Sequence, residues 1–317
     1  MKAPVQFDAL ERVNLLSRPL HLAIGMFDGV HLGHQSVIES AIHSARRSGG
    51  LAGVLTFWPH PSSLISPDHP TRLIMSPEMK RTILARLGID FLIEQHFTPE
   101  FARIGAWEFV PLLKRCLPQI AAVYVGENWR FGRGREGDVA LLVEAGRKDG
   151  IAVFSAPRIN HNGAPISSTR LRALLVTGEI EQVNDLLGYS YFAEGVVETG
   201  RRLGHHLGFP TLNIPWEPEL PPRYGVYLVR VQAGRSPRRQ SGVANYGVRP
   251  TVGTDLRPLL EVHMLEETSM GPGDKVTVHW LRFLRPERKF GSQEELRTQI
   301  ARDREQALAL LPKTSAS

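Results

Sequence analysis

The sequence predicts a protein of class α/β plus β, with an α/β domain first and, second, an antiparallel β domain (a barrel or a sandwich) with a terminal helix. In the first half, short apolar runs alternate with amphipathic segments of helical period, which is typical of a parallel sheet covered by helices. The second half contains short β-type runs with no helical pattern between them. The change occurs near Gly188, so we expect one domain over residues 1–187 and another over residues 188–317.

Length and composition agree with two globular domains. The chain has 317 residues, of which 42% are hydrophobic and 22% are charged, and none of its apolar runs reaches the roughly 18 residues of a membrane helix. Cys116 is the sole cysteine, which excludes an intrachain disulfide and a Cys-rich zinc site. Residues 1–14 lack the apolar stretch of a secretory signal. We expect a cytoplasmic protein without a membrane partner.

The charge balance is mildly basic, with a formal net charge of +6. No stripe of basic and aromatic residues accompanies this excess, so we expect no nucleic-acid partner. Anionic small molecules or a solvated basic surface would account for the excess equally well. The sequence does not indicate an oligomeric state.

The first domain shows a regular series of strand and helix signals. Ser76, Pro77 and Glu78 supply an N-cap, a proline at the first helical position and a first-turn acid, and the helix that they begin ends near Gly88. Strands are expected at 21–26, 51–57, 89–93, 121–125 and 152–156, and further helices at 34–47, from 98, at 138–145 and at 170–176. This alternation predicts a Rossmann-like fold, in which ligands bind at the carboxyl ends of the strands.

The second domain carries the signals of an antiparallel barrel or sandwich. Its β-type runs lie at 192–198, 224–232, 242–246, 259–265 and 275–283, separated by Gly, Pro and polar residues. One helix is expected at 292–310, where Ser292 and Glu295 have the spacing of a capping box. The expected architecture is therefore an antiparallel barrel or sandwich with a helix at its end.

The clearest motif lies at residues 25–34, between the first strand and the first helix. Its glycines allow close approach to the backbone, and the start of the helix offers N–H groups and a positive dipole end to an anion. His31 and His34 lie three residues apart, where both rings can face a phosphate, and we take them as catalytic candidates. A metal pair is the alternative, but no third ligand lies nearby in the chain. The candidate phosphate-binding residues are Gly25, Phe27, Asp28, Gly29 and Gly33.

A second anion-binding motif begins the helix near residue 168. Ser167, Ser168 and Thr169 provide hydroxyl groups, and Arg170 adds a fixed cation. Hydroxyl groups, backbone N–H groups and arginine side chains hold phosphates well. An ordinary N-cap with solvated arginines is the alternative. Because the first motif is predicted on the same sheet, phosphate binding is favoured.

A glycine pattern at residues 132–137 matches G-x-G-x-x-G but does not indicate NAD binding. A dinucleotide fingerprint belongs in the first βα turn, with an acid about 20 residues later. Here the pattern occurs late in the α/β region, and no Asp or Glu lies between Gly150 and Gly178.

These segments together resemble a known family, the prokaryotic bifunctional riboflavin kinases/FMN adenylyltransferases, also called FAD synthetases. The histidine pattern at 31–34 is similar to the nucleotide-binding turn of the adenylyl-transferring α/β superfamily. The likeness covers about 21–308 and rests on 25–34, 56–61, 126–132, 166–172, 208–213, 245–251, 261–263 and 283–290. It implies a nucleotidyltransferase-like first domain and a riboflavin kinase barrel.

For the first domain, the resemblance implies transfer of AMP from ATP to FMN, which gives FAD and pyrophosphate. The FMN phosphate is itself the nucleophile, so no covalent intermediate is needed. The family pattern implies that flavin-binding residues are Pro59, His60, Pro61, Asn128, Trp129 and Phe131.

For the second domain, the resemblance implies phosphorylation of riboflavin by ATP with Mg²⁺. Thr211 and Asn213 lie two apart on an extended segment, where both side chains point to one side and offer oxygen ligands. An ordinary turn is the alternative from the residues alone. Glu261 lies inside an apolar run, and the resemblance makes it the general base. The resemblance also implies that Gly208 and Pro210 bind ATP.

Two alternative functions stay open from the sequence. The first is a nucleic-acid-binding protein, suggested by the basic charge and by a loose likeness of residues 31–34 to a tRNA synthetase turn. The second is an enzyme with a single activity. A monofunctional FMN adenylyltransferase would keep a barrel that binds flavin but does not phosphorylate it. His205 occupies a position where the family pattern has arginine, and histidine carries only part of that charge near neutrality.

Overall fold

The computed structural model describes residues 3–15, 17–199, 211–234, 236–248 and 257–311. The chain forms two compact units, Met1–Ser168 and Thr169–Ser317. The predicted domain boundary at Gly188 lies beyond this division, because the helical residues that precede Gly188 group with the second unit. The predicted fold class is confirmed, with a parallel sheet in the first unit and an antiparallel sheet in the second.

The first unit alternates strands and helices along its length. Its strands are β1 Val5–Phe7, β2 Leu20–Ile24, β3 Leu51–Trp58, β4 Phe91–His96, β5 Ile120–Gly126, β6 Ala152–Ala156, and the short pair β7 Asn160–His161 and β8 Ala164–Pro165. Its helices are α1 Leu32–Ser48, α2 Ser62–Ile65, α3 Pro77–Leu87, α4 Pro99–Ala102, α5 Ala106–Cys116 and α6 Val139–Lys148.

Six of these strands form one parallel sheet in the order β1-β4-β3-β2-β5-β6. The chain runs outward from β2 through β3 to β4, then returns to β5 and β6 on the other side of β2. β2 and β5 are therefore neighbours whose onward connections lead in opposite directions. Such a switch point forms a crevice at the carboxyl ends of the strands. The motif at 25–34 follows β2, and the segment at 126–132 includes the last residue of β5.

The predicted helix signals act as the sequence indicates. The Ser76 side chain accepts a hydrogen bond from the Met79 N–H, Pro77 begins α3, and Gly88 ends it in the left-handed region. The buried residues of α1 share one face at helical spacing: Val37, Ile38, Ala41, Ile42 and Ala45. The helix predicted from residue 98 is short and ends at Ala102 (α4), and α5, which was not predicted as a separate helix, follows with Pro111 in its interior. Its buried apolar face, which includes Phe109 and Leu113, outweighs the hydrogen bond that proline removes.

The second unit is a barrel with helices before and after it. Its elements are α7 Ser168–Thr177, which starts at the division, α8 Ile180–Leu187, β9 Phe192–Val196, β10 Thr211–Pro215, β11 Gly225–Ala233, β12 Arg239–Val248, β13 Pro258–Met264, β14 Lys275–Pro286 and α9 Gln293–Leu310. The sequence analysis did not predict α8 or define β10 as a strand.

The strands of the barrel are all antiparallel, in the order β10-β13-β12-β11-β14-β9. A bridge between Glu198 and Asn213 links the two ends of this sheet and nearly closes it. Gly195 allows the strand ends to approach, since a Cβ at this position would lie 2.6 Å from Ile214 Cγ2.

Aromatic side chains fill the barrel, and an ion pair holds its last helix. Trp280, Tyr227 and Tyr246 are fully buried. Arg285 at the end of β14 binds Asp303 of α9 through two hydrogen bonds of 2.9 and 2.8 Å, and Asp303 is buried. Ser292 caps α9 by accepting from the Glu295 N–H, as predicted. Within the described ranges, no helix is long and apolar enough to span a membrane.

Candidate active sites

The first site is the turn between β2 and α1. His31 is the N-cap of α1, and its Nδ1 atom accepts a hydrogen bond of 3.3 Å from the His34 N–H. The rings of His31 and His34 are stacked, with centroids 3.6 Å apart, and the edge of His34 meets Phe27. The two histidines therefore form one rigid pair at the start of a helix, where an anion is favoured.

The protonation state of His31 follows from its surroundings. Its side chain is buried, and this burial lowers the pKa of His31 to about 4, against a backbone hydrogen bond that raises it. The ring is therefore neutral at pH 7. Because Nδ1 accepts the hydrogen bond, the single ring proton is on Nε2. His31 can thus donate one hydrogen bond to a phosphate oxygen from Nε2.

The backbone of this turn is strained. Phe27 and Val30 have φ angles of 49° and 36°, and Gly29 has a φ of 83°. The left-handed region suits glycine but is unfavourable for a β-branched residue such as Val30. Gln35 Nε2 holds the Val30 carbonyl with a hydrogen bond of 2.8 Å. Strain of this kind persists only where the surroundings impose it, and it concentrates at functional sites.

The two predicted phosphate-binding motifs meet at Asp28. Ser168 Oγ donates a hydrogen bond of 2.8 Å to the Asp28 carbonyl. The Asp28 carboxylate is buried and accepts the Ile74 N–H at 3.0 and 3.1 Å, so Asp28 supports the turn with its side chain. Thr169 and Arg170 belong to the second unit, and their role toward phosphate stays a prediction.

The other members of the first motif contribute backbone. Phe27 is buried, with its ring against Gly25, and Gly33 lies in the first turn of α1 beside the His31 ring. The groups that they could offer to an anion are main-chain groups near the helix start, and their role toward phosphate stays a prediction.

Two residues that were not among the predicted site residues, Lys80 and Thr56, support this turn, although Thr56 begins the segment 56–61 of the resemblance. Lys80 Nζ donates to the Met26 carbonyl at 3.2 Å and to Thr56 Oγ1 at 3.3 Å. Both residues are buried. The signal that could have found Lys80 is a charge within the apolar stripe of α3, next to Met79 and before Ile83.

The predicted flavin-binding residues lie at two neighbouring places on the same sheet edge. Pro59, His60 and Pro61 follow β3, which lies beside β2. His60 Nδ1 and Ser62 Oγ are 2.7 Å apart, at the start of α2.

The other flavin candidates follow β5 across the switch point. Asn128 is exposed, and Trp129 stacks on Phe131 with centroids 4.7 Å apart. Phe131 is buried in the core, where it meets Phe109. Phe131 therefore supports Trp129 from below, and Asn128 and Trp129 are the more accessible of the three.

The second site is a row of polar side chains on the barrel. Asn213 of β10 is in register with Glu261 of β13, and Glu261 is in register with Asn245 of β12. In-register partners share a face, and neighbouring strands lie roughly 5 Å apart. One step along the same face, Thr211 Oγ1 lies 3.1 Å from His263 Nδ1. We call these five residues the polar row; the alternate residues of the same strands are buried in the barrel core.

The donor set of the polar row fits Mg²⁺. Thr211, Asn213 and Glu261 offer a hydroxyl, an amide carbonyl and a carboxylate, which are the hard oxygen ligands that Mg²⁺ takes beside waters and substrate phosphates. Among the residues that the structure describes, no group of three or more His, Cys, Asp and Glu side chains forms a metal site. The predicted ATP-binding residues Gly208 and Pro210 lie outside the described residues, as does His205.

Comparisons with known proteins cover both units. A family model described as FAD synthetase matches residues 15–170, and one described as riboflavin kinase matches residues 187–311. A bifunctional riboflavin kinase/FMN adenylyltransferase from Escherichia coli (strain K12) is 37% identical over 283 residues, covering 89% of this chain and 90% of the relative. The protein of that name from Listeria monocytogenes is 34% identical and covers 92% of each chain.

A solved structure agrees with this fold. A crystal structure of a macrolide-efflux protein from Streptococcus pneumoniae matches with a TM-score of 0.86 and 26% identity, over 98% of this chain and 100% of that one. The efflux name applies to that protein. The matches of sequence, family and fold extend through both units, and the chain belongs to the family of bifunctional riboflavin kinases/FMN adenylyltransferases.

Proposed function

We propose that this protein converts riboflavin to FMN and then FMN to FAD, using one ATP for each step. The observation that carries the proposal is the presence of two candidate sites in one chain, one in each unit. The first unit presents a phosphate-binding turn with two histidines, and the barrel presents Glu261 in register with Asn213. The first arrangement suits transfer of AMP, and the second suits transfer of a phosphoryl group.

In the kinase step, the barrel positions riboflavin and the γ-phosphoryl group of ATP. Glu261 takes the proton from the terminal ribityl hydroxyl, so that the hydroxyl oxygen attacks phosphorus as ADP leaves. Thr211 and Asn213 would hold Mg²⁺, which neutralises phosphate charge when bound. His263 orients the Thr211 hydroxyl through the contact of 3.1 Å.

In the adenylyl step, the first unit positions the FMN phosphate against the α-phosphate of a second ATP. The FMN phosphate oxygen forms the new P–O bond, and the bond to the leaving pyrophosphate breaks. His31 and His34 contact the phosphates, and neutral His31 donates from Nε2 to the charge that develops on them. Ser168 and the backbone of the turn support the same phosphates, while Asn128 and Trp129 contact the flavin.

The polar row also bears on the alternative of a monofunctional adenylyltransferase. That function would leave Thr211, Asn213 and Glu261 without a role, yet the fold keeps all three on one face of the barrel. The riboflavin kinase model also matches the barrel over residues 187–311. The bifunctional reading is therefore favoured.

The proposed partners are small molecules, namely riboflavin, FMN and ATP. We propose a cytoplasmic location without a nucleic-acid or membrane partner. The single Cys116, which is a free thiol, and the modest net charge of +6 support this setting.

The test is to incubate the purified protein with riboflavin, ATP and Mg²⁺ and to separate the flavins by chromatography. FMN should form first and FAD should follow. A parallel reaction that starts from FMN should yield FAD without any lag from the kinase step. Accumulation of FMN alone, or conversion of supplied FMN without any use of riboflavin, would exclude the bifunctional proposal.

A further inference from the structure

Lys80 is a buried lysine beneath the turn at the carboxyl end of β2. It lies in the apolar face of α3, and only 4% of its surface is exposed. Burial lowers the pKa of Lys80, whereas the negative charges of Asp28 and Glu94 act in the opposite direction and raise it. Lysine is rarely buried in this way, because removing an ammonium from water is costly unless it is compensated. Packing alone therefore does not explain a buried ammonium group at this position.

The contacts of Lys80 connect two segments of the candidate site. Its ammonium donates to the Met26 carbonyl at 3.2 Å and to Thr56 Oγ1 at 3.3 Å, and Thr56 Oγ1 donates to the same carbonyl at 3.0 Å. Met26 belongs to the turn after β2. Thr56 lies near the end of β3, shortly before Pro59 and His60. One buried ammonium thus joins the phosphate-binding turn to the strand that leads into a predicted flavin-binding segment.

The turn needs such support because its backbone is strained. Phe27 follows Met26 directly and has a φ of 49°, and Val30 has a φ of 36°. The other hydrogen bonds that support the turn are made to Asp28 and Val30. The hydrogen bonds described at Met26 are those from Lys80 and Thr56. Loss of these bonds would release the start of the turn, and His31 lies at its end.

We propose that Lys80 is a positioning residue for AMP transfer, in which its ammonium ties Met26 to Thr56 and fixes where His31 and His34 stand. This proposal rests on the adenylyltransferase activity proposed above. Lys80 is not a catalytic residue, because it is enclosed beneath the turn. Its effect on the reaction passes through the backbone of residues 26–31.

Lys80→Met separates this role from a contribution to stability alone. Methionine is similar in length, and replacing a buried charge by an apolar side chain of similar volume is often neutral or stabilising. If Lys80 positions the turn, the variant keeps its melting temperature but makes FAD slowly. If Lys80 serves only the fold, FAD formation follows the fraction of folded protein.

The experiment measures both activities of the full chain together with its melting temperature. In Lys80→Met, kcat for FAD formation from FMN should fall roughly 10- to 100-fold, since a displacement of about 1 Å can cost this much. KM for ATP should change far less than kcat, because an interaction that matters in the transition state is lost. Riboflavin phosphorylation by the other unit should match the parent and serve as the internal control. Lys148→Met is the matched control, since it removes an exposed lysine of the same unit and should leave both activities unchanged.

A second variant keeps the test decisive. Thr56→Val removes the hydroxyl that Lys80 and Met26 share with little change in shape, and it should lower the same kcat. In the double variant the two effects should not add, since they act through one contact. A folded Lys80→Met protein with parental FAD formation would overturn the proposal, and so would a loss explained by a lower melting temperature. If Lys80→Met does not fold, a normal kcat in Thr56→Val overturns it. Absence of FAD formation in the parent would contradict the proposed function instead.

Discussion

His31 should make the first unit sensitive to acid. Its folded-state pKa is about 4, whereas its ordinary value is 6.5. Between these values the unfolded chain binds a proton that the folded chain does not, so stability falls as the pH falls through this window. Above pH 6.5 the full contribution of the neutral ring is present.

The size of the effect follows from the two pKa values. Each pKa unit corresponds to about 1.4 kcal/mol, so the gap between 6.5 and 4 represents about 3 kcal/mol of stability lost between pH 7 and pH 4. This is a large share of the 5–15 kcal/mol that is typical of a domain. His21 is also buried, and burial lowers the pKa of His21, so acid sensitivity from that ring should persist when His31 is replaced.

The perturbation is His31→Asn. Asparagine is a good N-cap and can accept from the His34 N–H, but it does not titrate. Calorimetric unfolding of the full chain between pH 7 and pH 4 should show a smaller loss of stability in the variant, by about 3 kcal/mol. The transition of the barrel provides an internal reference. Equal losses in the parent and the variant would refute the conclusion that the fold keeps His31 neutral.

The remaining predictions concern the barrel. Glu261→Gln should lower riboflavin phosphorylation by roughly 10²–10⁴-fold and spare adenylylation of supplied FMN. Turnover and melting temperature are measured together; a normal rate, or a lower rate explained by a lower melting temperature, would show that the role of Glu261 is only structural. Asp303→Asn should destabilise the barrel by about 3 kcal/mol, because it leaves Arg285 without its charged partner. An unchanged urea concentration at the midpoint of unfolding would contradict this prediction. A fragment of residues 169–317 should be more stable than one of residues 188–317 and should make FMN, because α8 buries apolar residues in the second unit; equal melting temperatures would favour the boundary at Gly188.

Much of the fold was predictable because its signals are local. The caps at Ser76 and Ser292 act within one helical turn, and both are confirmed. The buried face of α1 follows from the spacing of its apolar residues. Where a helix depends on packing, the sequence did not predict it: α5 contains Pro111, and burial of its apolar face against the rest of the unit stabilises it.

The candidate sites depend on contacts between distant residues that the sequence motifs do not contain. The role of Asp28 toward phosphate stays a prediction, but the hydrogen bond that its carboxylate accepts from Ile74, which is distant in the chain, was not predictable. Lys80 gave no motif, because its partners at Met26 and Thr56 come from other elements. Contacts between distant residues depend on how helices and strands pack, and no local pattern encodes them.

The sequence by itself determined the class of the fold, most of its strands and helices and the positions of the two candidate anion-binding motifs, because periodicity, caps and glycines act over a few residues. Only the tertiary structure decided the neutral state of His31 and the burial of Lys80, because the cost of removing a charge from water depends on everything packed around it. The same holds for the polar row, in which Glu261 meets Asn213 and Asn245. Strand register is set by pairing across the whole barrel, so it appears only when the sheet has closed.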